Sequence, residues 1–182
     1  TADDFGDYKA ANDVESQVVK FIKPELKKRD FKKFYDELKD GIKYYDTQVK
    51  YHLNVDFDPR KDSVGDDYAN SYERYYGNNN VKGPDAEHGT HVAGIVGAIR
   101  SNDLGIKGVA DNVKIMAIRT VPDGDERDKD VANSIRYAVD NGAKILNMSF
   151  GKAYAWDKKV VDEAVKYASS KGVLLVHAAG ND

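Results

Sequence analysis

The sequence predicts an α/β fold, a parallel sheet flanked by helices, with an added helical insert. Two short apolar runs, at residues 144–148 and 173–178, alternate with amphipathic stretches at residues 129–140 and 157–171. Near-continuous apolar strands separated by helices are typical of parallel sheets that are covered on both faces. A third run at residues 114–121 predicts another strand of the same sheet. The 182 residues, 41% of them hydrophobic, are enough for a core of this kind.

The first part of the chain has a helical pattern instead. Apolar side chains recur every three or four residues, at Tyr8, Ala11, Val14, Val18, Phe21, Phe31, Phe34, Tyr35, Leu38, Ile42, Tyr45 and Val49. Pro24 is expected to separate two helices, because proline removes a helical hydrogen bond. We therefore predict a helical insert at residues 1–57, an irregular connecting loop at 58–87 and the main core at 88–182.

Composition excludes several classes of function. The net charge of −3 gives no electrostatic footprint for nucleic acid. The absence of cysteine excludes disulfides, a thiolate nucleophile and a cysteine-ligated zinc. No apolar run approaches the roughly 20 residues that span a bilayer, so we expect no transmembrane segment.

Three short blocks carry the chemistry. His88-Gly89-Thr90-His91-Val92-Ala93-Gly94 begins a predicted helix, Asn147-Met148-Ser149-Phe150-Gly151 ends one predicted strand, and Ala178-Ala179-Gly180-Asn181-Asp182 ends another. Each block alone has an ordinary interpretation as a helix cap or a turn. In this order the three blocks resemble the subtilisin-like serine peptidases, and the resemblance covers residues 88–182.

The resemblance implies a role for each block. His88 would be the catalytic base and Asn181 the side-chain donor to the oxyanion. Ser149, Phe150 and Gly151 would pair with the substrate backbone as an added strand. Ala178, Ala179 and Gly180 would form the other wall of the primary specificity pocket, and His177, just before that wall, has the ordinary interpretation of a core residue.

His91 is expected to be a buried structural histidine, as in the family. A metal site made by His88, His91 and Asp85 or Glu87 is the alternative, although the spacing is not that of the His-Glu-x-x-His zinc hydrolases. The acids in residues 122–130 have two equally good interpretations. They either favour basic substrates or complement the dipole of the helix that follows.

Residues 101–110 resemble the family's calcium loop. Asn102 would give a side-chain oxygen and Leu104 and Ile106 would give carbonyl oxygens to a structural calcium ion. The family takes further ligands from an N-terminal segment that is not found here, so we expect the site to be empty or absent in this chain. No cofactor is required for the chemistry itself.

The family's aspartate and serine blocks are not found in this sequence. Asp62-Ser63-Val64-Gly65 is the nearest imitation of the first, but polar residues precede it where the family has an apolar strand. We interpret the chain as an internal fragment of a secreted or extracytoplasmic endopeptidase acting on proteins or peptides, inactive alone and prone to intermolecular strand exchange. The alternative is a non-catalytic member of the same fold that binds peptides.

Overall fold

The computed structural model describes residues 8–28, 30–122 and 126–181. Its elements in chain order are α1 (Asp13–Leu26), α2 (Phe31–Thr47), α3 (Glu87–Gly97), α4 (Asp128–Asp140), β1 (Ile145–Met148), α5 (Lys158–Ser170) and β2 (Leu174–His177). Two π-helical turns, Gln48–His52 and Arg60–Val64, lie between α2 and α3. The chain divides into two compact units, Thr1–Asp58 and Pro59–Asp182. No helix in the described part of the chain is long and apolar enough to cross a membrane.

The first unit is helical, as its sequence pattern predicts. Asn12 caps α1 by accepting the backbone N–H of Glu15 at 2.9 Å, and Asp30 caps α2 by accepting the N–H of Lys32 at 2.8 Å. Both caps satisfy N–H groups that have no partner inside the helix. The two helices contact each other through Phe21 and Phe34, whose ring centroids lie 6.3 Å apart.

The expected separation of the helices at Pro24 is wrong. Helix α1 continues through Pro24 and ends at Leu26, and α2 begins at Phe31 after its Asp30 cap. The second helix therefore begins where Asp30 caps it, and Pro24 does not separate the two helices.

The core of the second unit is formed by α4, β1, α5 and β2. Strands β1 and β2 are parallel, with Ile145 opposite Leu174 and Met148 opposite His177. The buried side chains are small or β-branched and come mostly from the two helices: Val131, Ala132, Ile135, Val160, Ala164, Ala168 and Val173. Leu146 and Leu175 pack against this cluster from the strands. The predicted α/β class is confirmed, with a small parallel sheet.

Residues 114–121 do not form the predicted strand. An apolar run becomes a strand only when a neighbouring strand pairs with its N–H and C=O groups. In the described part of the chain the sheet consists of β1 and β2 alone, so residues 114–121 have no strand to pair with. Ile115 and Met116 accordingly remain 51% and 42% exposed.

The N-terminus of α4 has no side-chain cap. Asp128 is the first residue of the helix, and Arg127 holds the cap position without a side-chain hydrogen bond. The carboxylates of Asp128 and Asp130 instead bind groups from other segments. After the ends of α4 and α5, Gly142 (φ 87°) and Gly172 (φ 70°) adopt the left-handed conformation that often follows a helix.

Candidate active site

His88 lies in the first turn of α3, which begins at Glu87. The turn before the helix is held by Asp85, whose carboxylate accepts the N–H of Glu87 at 2.8 Å. The imidazole of His88 is exposed and makes no hydrogen bond among the described residues. It is therefore accessible to a substrate or to another segment.

The expectation that His91 is buried is wrong, because this side chain is exposed on the same helix. The metal alternative is not supported either. Within the described ranges no three histidine, aspartate or glutamate side chains are grouped so that they could hold a metal ion. Asp85 is engaged in the turn that precedes α3.

Helix α3 ends at Gly97. Gly97 and Gly108 pack closely there, since a Cβ on Gly97 would lie 3.0 Å from Val113 Cγ2 and one on Gly108 would overlap the Gly97–Ala98 backbone. An added Cβ on Gly89 or Gly94 meets open space instead. The close packing of this helix is thus at its C-terminus.

The two predicted walls of the substrate cleft lie next to each other. Ser149, Phe150 and Gly151 follow β1, and Ala178, Ala179 and Gly180 follow β2. The parallel register continues beyond β2, because the N–H of Ala178 donates to the carbonyl of Met148 at 3.1 Å. Both segments therefore emerge at the carboxyl edge of the sheet, where open α/β sheets bind their ligands.

Asn181 lies at the same edge, after Gly180 (φ 97°), which turns the chain out of the strand. Asn181 is exposed. No hydrogen bond in the described part of the chain joins it to His88, so the convergence of these two residues stays a prediction.

Asp128 fixes the segment that follows Gly151. Its carboxylate accepts a hydrogen bond from the Asp157 N–H at 2.6 Å and forms an ion pair with Lys152 Nζ at 2.7 Å. Lys152 Nζ also donates to the carbonyl of Glu126 at 2.8 Å. Burial alone would raise the pKa of Asp128, but Lys152 and the Asp157 N–H outweigh burial and hold the pKa below its ordinary value. This arrangement ties the predicted substrate segment to the start of both α4 and α5.

A second charged cluster joins the loop before α3 to α4. The buried Asp66 carboxylate contacts Arg60 at 2.5 Å and Lys129 Nζ at 2.6 Å. Lys129 Nζ also pairs with Glu73 at 2.7 Å, and Arg60 pairs with Asp130 at 2.7 Å. Burial would raise the pKa of Asp66, yet the bonds from Arg60 and Lys129 lower it below its ordinary value. Sequence reasoning missed this cluster, because Gly65-Asp66-Asp67 has the composition of an ordinary turn.

The guanidinium of Arg100 binds the end of the loop at residues 101–110. Arg100 donates from Nε to the carbonyl of Gly108 at 2.8 Å and from Nη2 to the carbonyl of Val109 at 2.5 Å. Asn102 Oδ1, the predicted calcium ligand, accepts the N–H of Leu104 at 3.2 Å. A calcium ion needs six to eight oxygens, whereas the sequence assigns only three in this loop, and one of them, Asn102 Oδ1, already accepts the Leu104 N–H. The residues in this loop therefore do not by themselves fit a calcium site.

Comparison with known proteins identifies the family. The model of the Subtilase family matches residues 27–182. A thermophilic serine proteinase of Bacillus sp. (strain AK1) is 37% identical over 142 residues, covering 78% of this chain and 33% of that protein. Thermitase of Thermoactinomyces vulgaris is 42% identical over 95 residues, covering 52% of this chain and 33% of thermitase. Minor extracellular protease Epr of Bacillus subtilis (strain 168) is 40% identical over 99 residues, covering 54% of this chain and 15% of that protein. No solved structure matches significantly.

The fold is an α/β core that carries the three blocks in the order of the resembled family. The chain belongs to the subtilase family, because the match covers most of its length. It spans about a third of the length of the first two relatives. The matched range begins at residue 27 and thus includes α2, whereas the quoted motifs begin at His88. The division into an insert, a loop and a core stays a prediction.

Proposed function

We propose that this chain supplies the histidine, the oxyanion donor and both walls of the substrate cleft to a serine endopeptidase. His88 takes the proton of a serine hydroxyl as that serine attacks the peptide carbonyl, and Asn181 donates to the oxyanion that forms. The attack yields an acyl-enzyme, which water then hydrolyses. The serine and the carboxylate that orients His88 come from outside these 182 residues.

The observation that carries this proposal is the placement of the two cleft walls. Two segments, Ser149–Gly151 and Ala178–Gly180, lie side by side at the carboxyl edge of the sheet. The hydrogen bond from the Ala178 N–H to the Met148 carbonyl fixes their alignment along the strand direction. An extended peptide can pair with the first segment while its side chain enters between the two. The names of the relatives, which are proteinases and proteases, support the same reaction.

Hydrolysis of casein by the complete protein that contains this chain tests the proposal. His88→Ala should abolish the activity, and Asn181→Leu should lower turnover by about 100-fold to 1,000-fold, the usual effect of losing one oxyanion donor. Lys158→Ala, an exposed change on α5, is the control and should leave activity unchanged. Full activity of His88→Ala would contradict the assignment. Tight peptide binding without hydrolysis by the wild type would favour the non-catalytic alternative.

The 182-residue chain alone is proposed to be inactive. Loss of the serine from such a triad costs about 2 × 10⁶ in turnover, a value that was measured in subtilisin itself. Cleavage of casein by the purified chain, lost in its His88→Ala variant, would contradict this part of the proposal.

Three further features belong to the proposal. The substrate is a protein or peptide, and no cofactor takes part in the chemistry, because side-chain and backbone groups suffice for acyl transfer.

The protein acts outside the cytoplasm, as the name of the extracellular relative suggests. The isolated chain exchanges strands with a second copy, since β1 and β2 form a two-stranded sheet in the described part of the chain and each has one unpaired edge. Sedimentation coefficients of the purified chain that do not change with its concentration would contradict the proposed strand exchange.

A further inference from the structure

We infer that His177 is a specificity-determining residue of the primary pocket, where its Nε2 accepts a hydrogen bond from the substrate side chain. The inference rests on the proposed function and names the substrate class that the cleft favours. That class is peptides whose side chain in the primary pocket carries a hydrogen-bond donor, such as the tyrosine hydroxyl.

The position of His177 follows from the strand register. His177 is the last residue of β2 and lies opposite Met148, the last residue of β1. It follows Leu175 on the same face of the sheet, since strand side chains alternate. Leu175 still packs against the core, whereas His177 is exposed. The imidazole therefore stands where the core ends and the two predicted walls begin.

The imidazole contacts both walls. Its ring meets the Phe150 ring edge-on, with centroids 6.1 Å apart and an interplanar angle of 84°. A Cβ built on Gly151 would lie 3.5 Å from His177 Cε1 and 3.8 Å from Nε2, so the edge that carries Nε2 faces Gly151. On the other wall, Nδ1 lies 2.6 Å from the carbonyl oxygen of Ala178.

The contact with Ala178 determines the tautomer. A carbonyl oxygen only accepts hydrogen bonds, so Nδ1 must carry the proton. In the neutral ring Nε2 is then a bare acceptor, and no described side chain donates to it. A substrate group that can donate satisfies this acceptor, whereas an apolar side chain leaves it without a partner.

The size of the expected preference follows from a single neutral hydrogen bond. Such a bond changes affinity by about threefold to tenfold. The clearest comparison is tyrosine against phenylalanine, because the two side chains differ by one hydroxyl. We expect kcat/KM to be about threefold to tenfold higher for tyrosine.

The test measures this ratio in the complete protein with two peptide p-nitroanilides that differ only in having tyrosine or phenylalanine before the anilide. His177→Phe keeps an aromatic ring but removes the acceptor, so the ratio should fall to about one while hydrolysis of the phenylalanine substrate is retained. His177→Gln keeps an acceptor and should retain part of the preference. Tyr154→Phe is the control, because it removes a hydroxyl from a side chain that is 88% exposed and lies three positions after Gly151 in the sequence, and it should leave the ratio unchanged.

The outcomes separate the two proposals. A tyrosine preference that survives in His177→Phe would overturn the role of His177 and leave the peptidase assignment standing. An equal loss of both activities would also overturn it, because that result indicates a structural residue. No hydrolysis of either substrate by the wild type would overturn both proposals. A measurement without activity is the imidazole ¹⁵N spectrum of the 182-residue chain, in which the His177 signals vanish in His177→Phe. A proton on Nδ1 at neutral pH is expected, and a proton on Nε2 would overturn the inference.

Discussion

At the scale of single residues, Asp128 is the side chain whose loss should disturb the candidate site most. Its carboxylate is 7% exposed and Lys152 is 15% exposed, so removing the charge of Asp128 leaves a largely buried ammonium without its partner. Breaking such a pair costs about 3 kcal/mol. Asp128→Asn should lower the free energy of unfolding in urea by about this amount.

The exposed pair of Lys158 and Asp162 gives the control for Asp128→Asn. Its members are 74% and 47% exposed and lie one turn apart on α5. Exposed pairs of this kind contribute little, so Asp162→Asn should hardly change the urea midpoint. Equal effects of the two substitutions would show that burial of the Asp128 pair is not important.

The residues of the site differ in how far the sequence could predict them. His88, Ser149 and Asn181 lie in local blocks whose positions relative to a helix or strand are visible in the pattern. Asp128 and Lys152 are 24 positions apart, and no periodicity connects them. Long-range charge pairs depend on the folded geometry, so the sequence alone could not identify this contact.

At the scale of elements, the loop segment at residues 60–76 is fastened along α4. Near the start of the helix, Lys129 forms ion pairs with Asp66 and Glu73, and Asp130 binds Arg60 and the hydroxyl of Tyr76. In the middle, Asn133 donates to the carbonyls of Glu73 and Arg74. Near the end, Asp140 forms an ion pair with Arg74. The sequence predicted an irregular loop here, and its backbone includes the π-helical turn Arg60–Val64. Its attachment to α4 was not visible, because it depends on charged groups that usually face solvent.

Asp66 should make the stability of this attachment depend on pH. Its pKa is lowered in the folded chain, so its contribution is complete above the ordinary value of about 3.9 and is lost as the pH falls through the lower folded value. Asp66→Asn should therefore lower the free energy of unfolding by about 3 kcal/mol at pH 7. This difference from wild type in the free energy of unfolding should stay constant down to about pH 5 and decrease below about pH 4. Urea titrations of both proteins at pH 7, 5 and 3 measure it, and a difference that increases in acid would contradict the assignment.

The loop after α3 gives a prediction about calcium. Arg100 bonds two loop carbonyls, and its replacement by glutamine should cost about 1 kcal/mol, or roughly 2–4 °C in Tm. A chelator should leave the Tm of the wild type unchanged, because the guanidinium supplies the positive charge. Lys107→Gln, in the same loop, is the control. A large loss of Tm on chelation would show that calcium, and not Arg100, holds the loop.

At the scale of the whole molecule, the sequence predicted the α/β class of the second unit correctly but predicted one strand too many. The alternating pattern predicted the β1, α5 and β2 segments because each buries its own apolar face within the unit. It failed at residues 114–121, with which no strand in the described part of the chain pairs. An apolar pattern shows that a segment can be buried, but a strand also requires a partner.

This contrast predicts an uneven stability within the second unit. Helices α4 and α5 and residue Val173 hold its buried hydrophobic side chains, whereas α3 has no buried residue and Ile99 and Val109 beyond it are 64% and 78% exposed. Segments with few buried apolar contacts open locally at low free energy, while core helices open only on global unfolding. Hydrogen exchange followed by mass spectrometry should therefore show the slowest amides in α4 and α5, and exchange in α3 and residues 98–122 that is at least about 100-fold faster. Equal protection of α3 and α5 in the 182-residue chain would show that α3 is buried against a surface that the static contacts do not reveal.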